Sequence, residues 1–556
     1  MQRSAVLSAG CVALFLVAAL GGLVAGGQPV YAAEPTASIK LEAAVAPTPV
    51  LEKPEWLSAP PLLSEERETY LDSLRQQTHL APRLAGPAAP VTGVPAPETA
   101  TRVERFRTMA PLAPDSASVY RYANFSATIP SYRKHFYLDP SVAAAGKYVF
   151  YTGNWFVARS TNGGATWQYT DPFADFPDFT QDQISIYDAG RNIFYWLRQG
   201  KTNAVGENVF KLGVSKDGGA SFVTYTISPK SINPAWVNQW WDYPHIQLGS
   251  RYLYLTWNLF DKNNKFVRAV VLKFSLDALA AGTGFAYLYF QTDWFSLVPV
   301  QGADHIIYWA SNFPATAPQN SRLAIFKHDE LTTTVSTVVK TIATWNLTLG
   351  SLSSTYRAVC GATTGNWTGW YDHRLLTGAR HYIYNKNIKR PGRRVLTWWW
   401  NVKQGGGFPM PYIDAASFYE DNLSQVEGWQ GRPFIWNATY CYAYPSAAVN
   451  QRGDLGLILN YANVAPYNPS VLYIISDEVT NAPPPWSAIT LVQGLARPPQ
   501  NRYGDYNTVR PYYPSAYAWA AGAYYLSGTT GVGYNPIYFV FGRERDKASW
   551  LRWVPY

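Results

Sequence analysis

Aspartates beside aromatic and cationic residues recur along this chain. Asp139, Asp182, Asp242, Asp293 and Asp372 are the series, with Gln181, Trp240, Trp241, His245, Trp294, Trp370, His373 and Arg374 around them. Tyr444 and Tyr513, with Asp505 and Arg510, extend it toward the C-terminus. Carboxylates accept hydrogen bonds from sugar hydroxyls or act as general acid and base, and Trp and Tyr faces cover the C–H surfaces of sugar rings. Asp182, Asp242 and Asp372 are therefore the candidate acid/base residues. Trp241, His245, Arg374, Tyr444, Asp505 and Arg510 are the candidate substrate contacts. The same residue types also serve structure, because Asp caps backbone N–H groups at strand starts and aromatic rings fill the space between sheets. Both readings stay open at this point.

Other chemistries find little support. No His/Glu or Cys/His metal motif occurs, and Gly405-Gly406-Gly407 lacks the Lys and helix of a phosphate loop. No nucleophile elbow is present. Neither a metal nor a cofactor is expected.

The elements that would position these residues are strands. The chain has 556 residues, 16% aromatic and only 15% charged, with 41 Gly and 40 Pro. This composition excludes a coiled coil or a highly charged disordered chain and suits a large all-β protein. After residue 120 a Gly-containing turn followed by a strongly apolar strand recurs at Gly146, Gly190, Gly249, Gly302, Gly378, Gly453 and Gly522. The intervals of about 45 to 75 residues match one four-stranded antiparallel sheet per repeat. Arranged radially, such sheets make a β-propeller of seven blades, with six or eight also compatible with the pattern. Counting back from each turn puts the Asp and Tyr series at the starts of the innermost strands, on the face that also receives the longest loops. Loops on a rigid scaffold are where binding residues concentrate.

Two repeats carry a second marker. Ser160-Thr161-Asn162-Gly163-Gly164-Ala165-Thr166-Trp167 and Ser215-Lys216-Asp217-Gly218-Gly219-Ala220-Ser221-Phe222 both fit Ser-x-Asp/Asn-x-Gly-x-Thr/Ser-aromatic. Here the chain resembles the Asp-box (BNR-repeat) sialidase-like β-propellers. The resemblance implies structural roles for Ser160, Asn162, Gly164 and Trp167, and for Ser215, Asp217, Gly219 and Phe222. It also implies a fold that hosts glycoside hydrolases with paired carboxylates and non-catalytic binding proteins. The Arg-Ile-Pro signature of sialidases is absent, so sialidase activity itself is not expected.

Residues 1–33 read as a secretory signal, with Arg3 ahead of an apolar run from Ala5 to about Val24 and a small-residue cleavage site at Val30-Tyr31-Ala32. An uncleaved signal anchor is the alternative, and only then is a membrane a partner. Residues 34–117 are Pro- and Ala-rich and read as a linker or pro-segment with one helix from Ser64 to about Gln77. Residues 118–556 form the propeller. Of three cysteines, Cys360 and Cys441 lie beyond the signal, where a secreted or cell-envelope location would allow a disulfide. The net charge of +9 is densest at Lys386, Lys389, Arg390, Arg393 and Arg394, but no nucleic-acid motif accompanies it. The expected partner is a carbohydrate or cell-surface glycan, bound at the loop-rich face and, if the paired carboxylates are catalytic, cleaved there. The alternative is a non-catalytic envelope or adhesion module with a protein partner.

Overall fold

The computed structural model describes residues 37–60, 103–104, 115–125, 139–313, 321–342, 344–345, 358–360, 367–368, 373–385, 390–423, 434–463, 468–477, 479, 487–498, 503–515, 517–527 and 533–554. The expected signal, the helix from Ser64 to Gln77, and Asp372, Trp370, Lys386 and Lys389 lie outside them.

The described residues form small antiparallel sheets, each an up-and-down meander in chain order. The first meander comprises Ser141–Ala145, Tyr148–Gly153, Phe156–Ser160 and Gln168–Thr170. The second comprises Phe179–Asp188, Ile193–Gly200, Phe210–Ser215 and Phe222–Ile227. The third is Gln239–Leu248, Tyr252–Asp261, Phe266–Ser275 and Ala286–Thr292. The fourth is Val298–Gln301, Ile306–Ser311, Arg322–Asp329 and Thr334–Thr341. The fifth has three strands, Leu375–Asn385, Arg390–Val402 and Tyr412–Tyr419. The sixth is Tyr440–Val449, Leu455–Asn463, Ser470–Ser476 and Ser487–Val492. The seventh joins Thr508–Pro511, Trp519–Ser527 and Gly533–Arg543 to Ala117–Asn124, so an N-terminal strand completes the C-terminal sheet.

The first strands neighbour one another in order, and that of the seventh meander returns to that of the first. Short bonds stitch them together. Ser185 N donates to Ser141 Oγ at 3.0 Å, Val300 pairs in parallel with Gly378, Ala447 N donates to Thr377 Oγ1 at 3.0 Å, and Val509 N donates to Ser446 Oγ at 3.0 Å.

Aromatic rings fill the gaps between meanders. Phe150 of the first lies edge-on to Trp196 and Phe222 of the second, at 5.3 and 5.4 Å. Each such side chain, fully buried, contributes about 1.5–3 kcal/mol. Trp398 and Trp400 enter one buried cluster and Trp399 another, as strand alternation requires. The indole of Trp398 donates to the carbonyl of Val298 at 3.1 Å, and a Cβ on Gly378 would sit 2.7 Å from that indole. Gly378 therefore lies inside a strand because only glycine lets the Trp in.

This corrects the repeat pattern read from sequence. Gly146, Gly302 and Gly453 do turn with positive φ (57°, 84° and 94°), and Asn192 takes that role in the second meander (57°). Gly378 and Gly522 are instead mid-strand, opposite Trp398 and Thr508. Tyr513, placed from Gly522, consequently falls at the opposite end of its meander, bridged to Ala145 beside the Gly146 turn.

The two Ser-x-Asx-x-Gly segments are tight turns between third and fourth strands. Ser160 Oγ accepts from Gly164 N at 2.8 Å and Asn162 Oδ1 from Thr166 N at 2.8 Å. Ser215 Oγ accepts from Gly219 N at 2.8 Å, and Asp217 Oδ1 from Ala220 N and Ser221 N at 2.9 and 3.0 Å. The aromatic that closes each turn packs on the preceding meander in the ring: Trp167 on Tyr538 at 5.4 Å, and Phe222 on Phe150.

The expected linker is corrected over its first part. Ala37–Lys40 pairs antiparallel with the outer strand of the fourth meander, Glu42–Val45 with that of the third, and Val50–Glu52 with that of the second. Leu57 then bridges Tyr169 in the first. The segment is a strap that adds an outer strand to successive sheets. Its lock is Glu52, which is buried and takes Arg198 on Oε2 and Lys211 on Oε1, the latter at 2.7 Å.

Candidate functional site

The first strands share an irregularity near their starts. Asp139, Tyr243, Ser296 and Tyr444 all have positive φ (56°, 55°, 58° and 57°) although none is glycine. For tyrosine this conformation is an outlier, held only where surroundings over-determine it. Three of the four precede proline (Pro140, Pro244 and Pro445), and the ladder slips between Asp242 and His245 and between Ala443 and Ser446.

A recurring side chain holds these corners. Asn258 Oδ1 accepts from Ser296 N at 2.8 Å, and Asn401 Oδ1 from Tyr444 N at 2.8 Å. Asn312 Oδ1 accepts from Leu375 N at 3.2 Å while its amide donates to the His373 carbonyl at 2.6 Å. In the first meander Asn154 donates to Asp139 Oδ2 at 3.1 Å. Each of these residues lies in the C-terminal half of the second strand of its meander or just follows it. The signal is present in the sequence as an Asn in or just after the second strand (Trp257-Asn258, Ser311-Asn312, Trp400-Asn401, Leu459-Asn460), but it is visible only once the strands are aligned.

The corners bring a polar cluster together. Asp139 Oδ1 accepts from the backbone N–H groups of Asp505 and Tyr506 at 2.7 and 3.2 Å. The Tyr506 ring meets Tyr243 at 6.2 Å, and Tyr243 meets His245 at 5.0 Å. The Arg374 guanidinium lies over Tyr243, 4.0 Å from its centroid. Burial, reinforced by Asp182 and Asp139, pushes the Tyr506 hydroxyl well above the ordinary range, so it remains a donor. Burial, then Arg374 and Arg510, pushes His245 down to about 3, so its imidazole is neutral. Beside it a solvent-open cleft lies among the first strands, lined by His245, Gln301, Thr377, Ser446, Tyr506, Asn507 and Arg510.

Of the candidates read from sequence, Asp182, His245, Arg374, Asp505 and Arg510 come together here. Asp242 faces the second meander, with Gln199 Nε2 3.4 Å from its Oδ1. Trp241 does not face the cluster. It is 0% exposed and packs on Phe210 and Trp257, which corrects its reading as a sugar platform. Tyr444 is likewise corrected, at 2% exposed beneath Trp367 and Tyr503. Sequence reading missed Tyr506, Asn507, Tyr243 and Ser296.

A disulfide joins Cys360 to Cys441 and brings Trp367, whose indole donates to Cys360 Sγ at 3.1 Å, against Tyr444. It closes a loop across a sequence separation of 81. Replacing both cysteines by serine is expected to lower stability by about 2–4 kcal/mol, read from urea unfolding with the m-value fitted for each variant, because the freed unfolded chain exposes more surface. A shift under roughly 1 kcal/mol would mean that the packing of Trp367 alone holds this wall.

No family model matches the chain, and no curated protein sequence matches it. Several solved structures are similar in part. The α-L-arabinofuranosidase of Fusarium graminearum in complex with an iminosugar inhibitor is 9% identical, with a TM-score of 0.34, over 73% of this chain and 93% of that one. Trypanosoma rangeli sialidase in complex with sialic acid is 8% identical, with a TM-score of 0.32, over 66% and 55%. The phage phi92 endosialidase is 6% identical, with a TM-score of 0.31, over 73% and 69%. TM-scores this low do not by themselves define a common fold.

Proposed function

We propose that this chain is a secreted, seven-bladed, Asp-box β-propeller that binds a glycan where the first strands begin, with Asp182 as the acid/base residue should the glycan also be cleaved. The supporting observation is the convergence of Asp182, Tyr243, His245, Arg374, Asp505, Tyr506 and Arg510 on strained, braced corners beside an open space. Strain concentrates where a function requires it. The blade number rests on the ring of first strands and on the N-terminal strand that completes the seventh meander. Asp182 is favoured because its carboxyl is buried within electrostatic reach of the Tyr506 hydroxyl.

A non-catalytic envelope module is the second reading, and Asp139 favours it. Its two oxygens are already used in bracing Asp505, Tyr506 and Asn154, as a structural carboxylate would be. The test is a panel of neutral and acidic polysaccharides, with binding and released reducing ends measured on the intact chain. Asp182→Asn is expected to lower turnover by roughly 10²–10⁴-fold while binding persists. Binding without product in the wild type would remove the acid/base role of Asp182 and leave non-catalytic glycan binding. Binding to none of the panel would overturn the glycan assignment.

A further inference from the structure

The disulfide stands outside the strand ladders. Cys360 lies between the fourth and fifth meanders, and Cys441 near the start of the first strand of the sixth. The bond therefore reaches past the fifth meander. Among the described residues no strand pairing or isolated bridge involves positions 358–368, so the meanders keep their own ladders without it.

What the bond reaches is a corner of the cleft. Cys441 shortly precedes Tyr444, whose φ of 57° is held by the Asn401 side chain. Trp367, tied to Cys360 through its indole, covers Tyr444 at 6.1 Å, and the Tyr444 hydroxyl donates to the Trp367 carbonyl at 3.4 Å. The Tyr444 carbonyl accepts from Asn507 Nδ2 at 2.9 Å, and the same amide donates to Asn460 Oδ1 at 2.7 Å. Asn460 donates in turn to the Tyr503 hydroxyl at 2.9 Å, and the Tyr503 ring packs on Trp367 at 5.6 Å. Asn507 and its neighbour Tyr506 line the cleft. Contacts thus run unbroken from the disulfide through Trp367 and Tyr444 to the cleft wall. A strained residue persists only while its surroundings over-determine it, so a corner that loses its cover relaxes.

We propose that formation of the Cys360–Cys441 disulfide is the step that sets this wall. Reduced, the chain closes its ring of meanders but leaves the Tyr444 corner and Asn507 unset; oxidised, it presents the finished cleft. The two thiols form one S–S bond by exchange with a small-molecule disulfide, whose own bond breaks to two thiols that take up the two protons and two electrons. Both cysteines are 0% exposed, so the bond, once formed, is shielded from reductant and the change runs one way in an oxidising compartment. Such control acts on the cleft of the proposed function and rests on the glycan reading only for the ligand that the finished wall would receive.

The test is hydrogen exchange on the intact protein in three forms: oxidised, refolded with its thiols kept reduced, and Cys360→Ser/Cys441→Ser. The amides of Tyr444 and Val509, bonded to Asn401 and Ser446, are expected to exchange roughly tenfold or more faster in both forms without the bond, with the first three meanders unchanged. Glutathione disulfide added to the reduced protein should restore slow exchange. Trp367→Ala keeps the disulfide and removes the cover, and should speed the same amides. If the double variant exchanges everywhere because it fails to fold, Trp367→Ala decides alone. Equal exchange with and without the bond, or protection kept in Trp367→Ala, would overturn the proposal. On the polysaccharide panel the oxidised form is expected to bind and the reduced form not, and equal binding by both would overturn control of the cleft. Faster exchange with no polysaccharide bound by either form would remove the glycan reading and leave the oxidative step standing.

Discussion

Replacing Glu52 by alanine is expected to cost about 3–5 kcal/mol of stability, far more than its position in a Pro- and Ala-rich segment suggests. Glu52 sits on the last strand of the strap, paired with Phe222, and is buried with Arg198 and Lys211 on its two oxygens. Thr224 adds a third bond at 3.0 Å. Burial alone would raise the Glu52 pKa, but Arg198 and Lys211 outweigh it and hold the carboxyl below its usual value. Arg198 is 1% exposed, with its guanidinium stacked 3.9 Å from the Trp196 centroid. Removing the carboxylate leaves this cation in the sheet without its counter-charge, and that penalty dominates the loss. Lys211 suffers less, because it is partly exposed and also donates to the Asp175 carbonyl at 2.6 Å. The strap would loosen at the same time, since Val50–Glu52 holds the sheet by three residue pairs and its other side chains are exposed. Urea unfolding measures the cost, and limited proteolysis within residues 37–57 measures the loosening. The double variant Glu52→Ala/Arg198→Met should recover part of the stability, because it removes the stranded charge. A loss under roughly 1 kcal/mol would show that Arg198 finds water or another partner and that the strap is not locked electrostatically.

The strap marks where the sequence was hard to read. Ala37–Lys40, Glu42–Val45 and Val50–Glu52 are three or four residues long and mostly exposed. They are held by backbone bonds to sheet edges, which leave no hydrophobic alternation to detect. The all-β class was legible because aromatic side chains and glycine turns carry it residue by residue. The Asp-turn segments were legible for the same reason: the Ser and Asx side-chain bonds that shape them are local. Gly378 and Gly522 misled because glycine serves close approach as well as turns, and only the facing side chain, Trp398 for Gly378, tells them apart. Asp182, His245, Arg374 and Arg510, singled out by residue type, lie in one cluster. Trp241 and Tyr444 were misassigned because type does not reveal which side of a strand faces the channel. Tyr506 and Asn507 were missed because counting back from Gly522, a mid-strand residue, ended at Tyr513.

The protein is also expected to lose stability steeply as pH falls from about 6.5 toward 4, before its carboxylates titrate. Three of its seven histidines are buried neutral. Burial is the leading cause in each. It pushes His245 to about 3, with Arg374 and Arg510 adding to the effect. It pushes His328 to about 4, with Lys273 adding, since Lys273 Nζ lies 2.9 Å from its Nε2. It pushes His381, hydrogen-bonded to Thr397 at 3.0 Å, to about 4. In the unfolded chain each histidine takes up a proton near 6.5. Above that pH both states are neutral and nothing is lost. Below it the unfolded chain binds protons that the folded protein refuses, at roughly 1.4 kcal/mol per histidine per pH unit until the folded values are reached. Three together give a slope of roughly 4 kcal/mol per pH unit. The lowered carboxylates Glu52, Asp304 and Asp477 act in the same direction, but only at and below their unfolded values near 4. Glu330, raised by burial, opposes the trend, as a single group against three. Urea midpoints measured between pH 7 and pH 4.5 test the slope. His381→Gln, which keeps a hydrogen-bonding side chain near Thr397, should flatten it by about a third relative to wild type. An unchanged slope would mean that His381 is protonated in the folded protein.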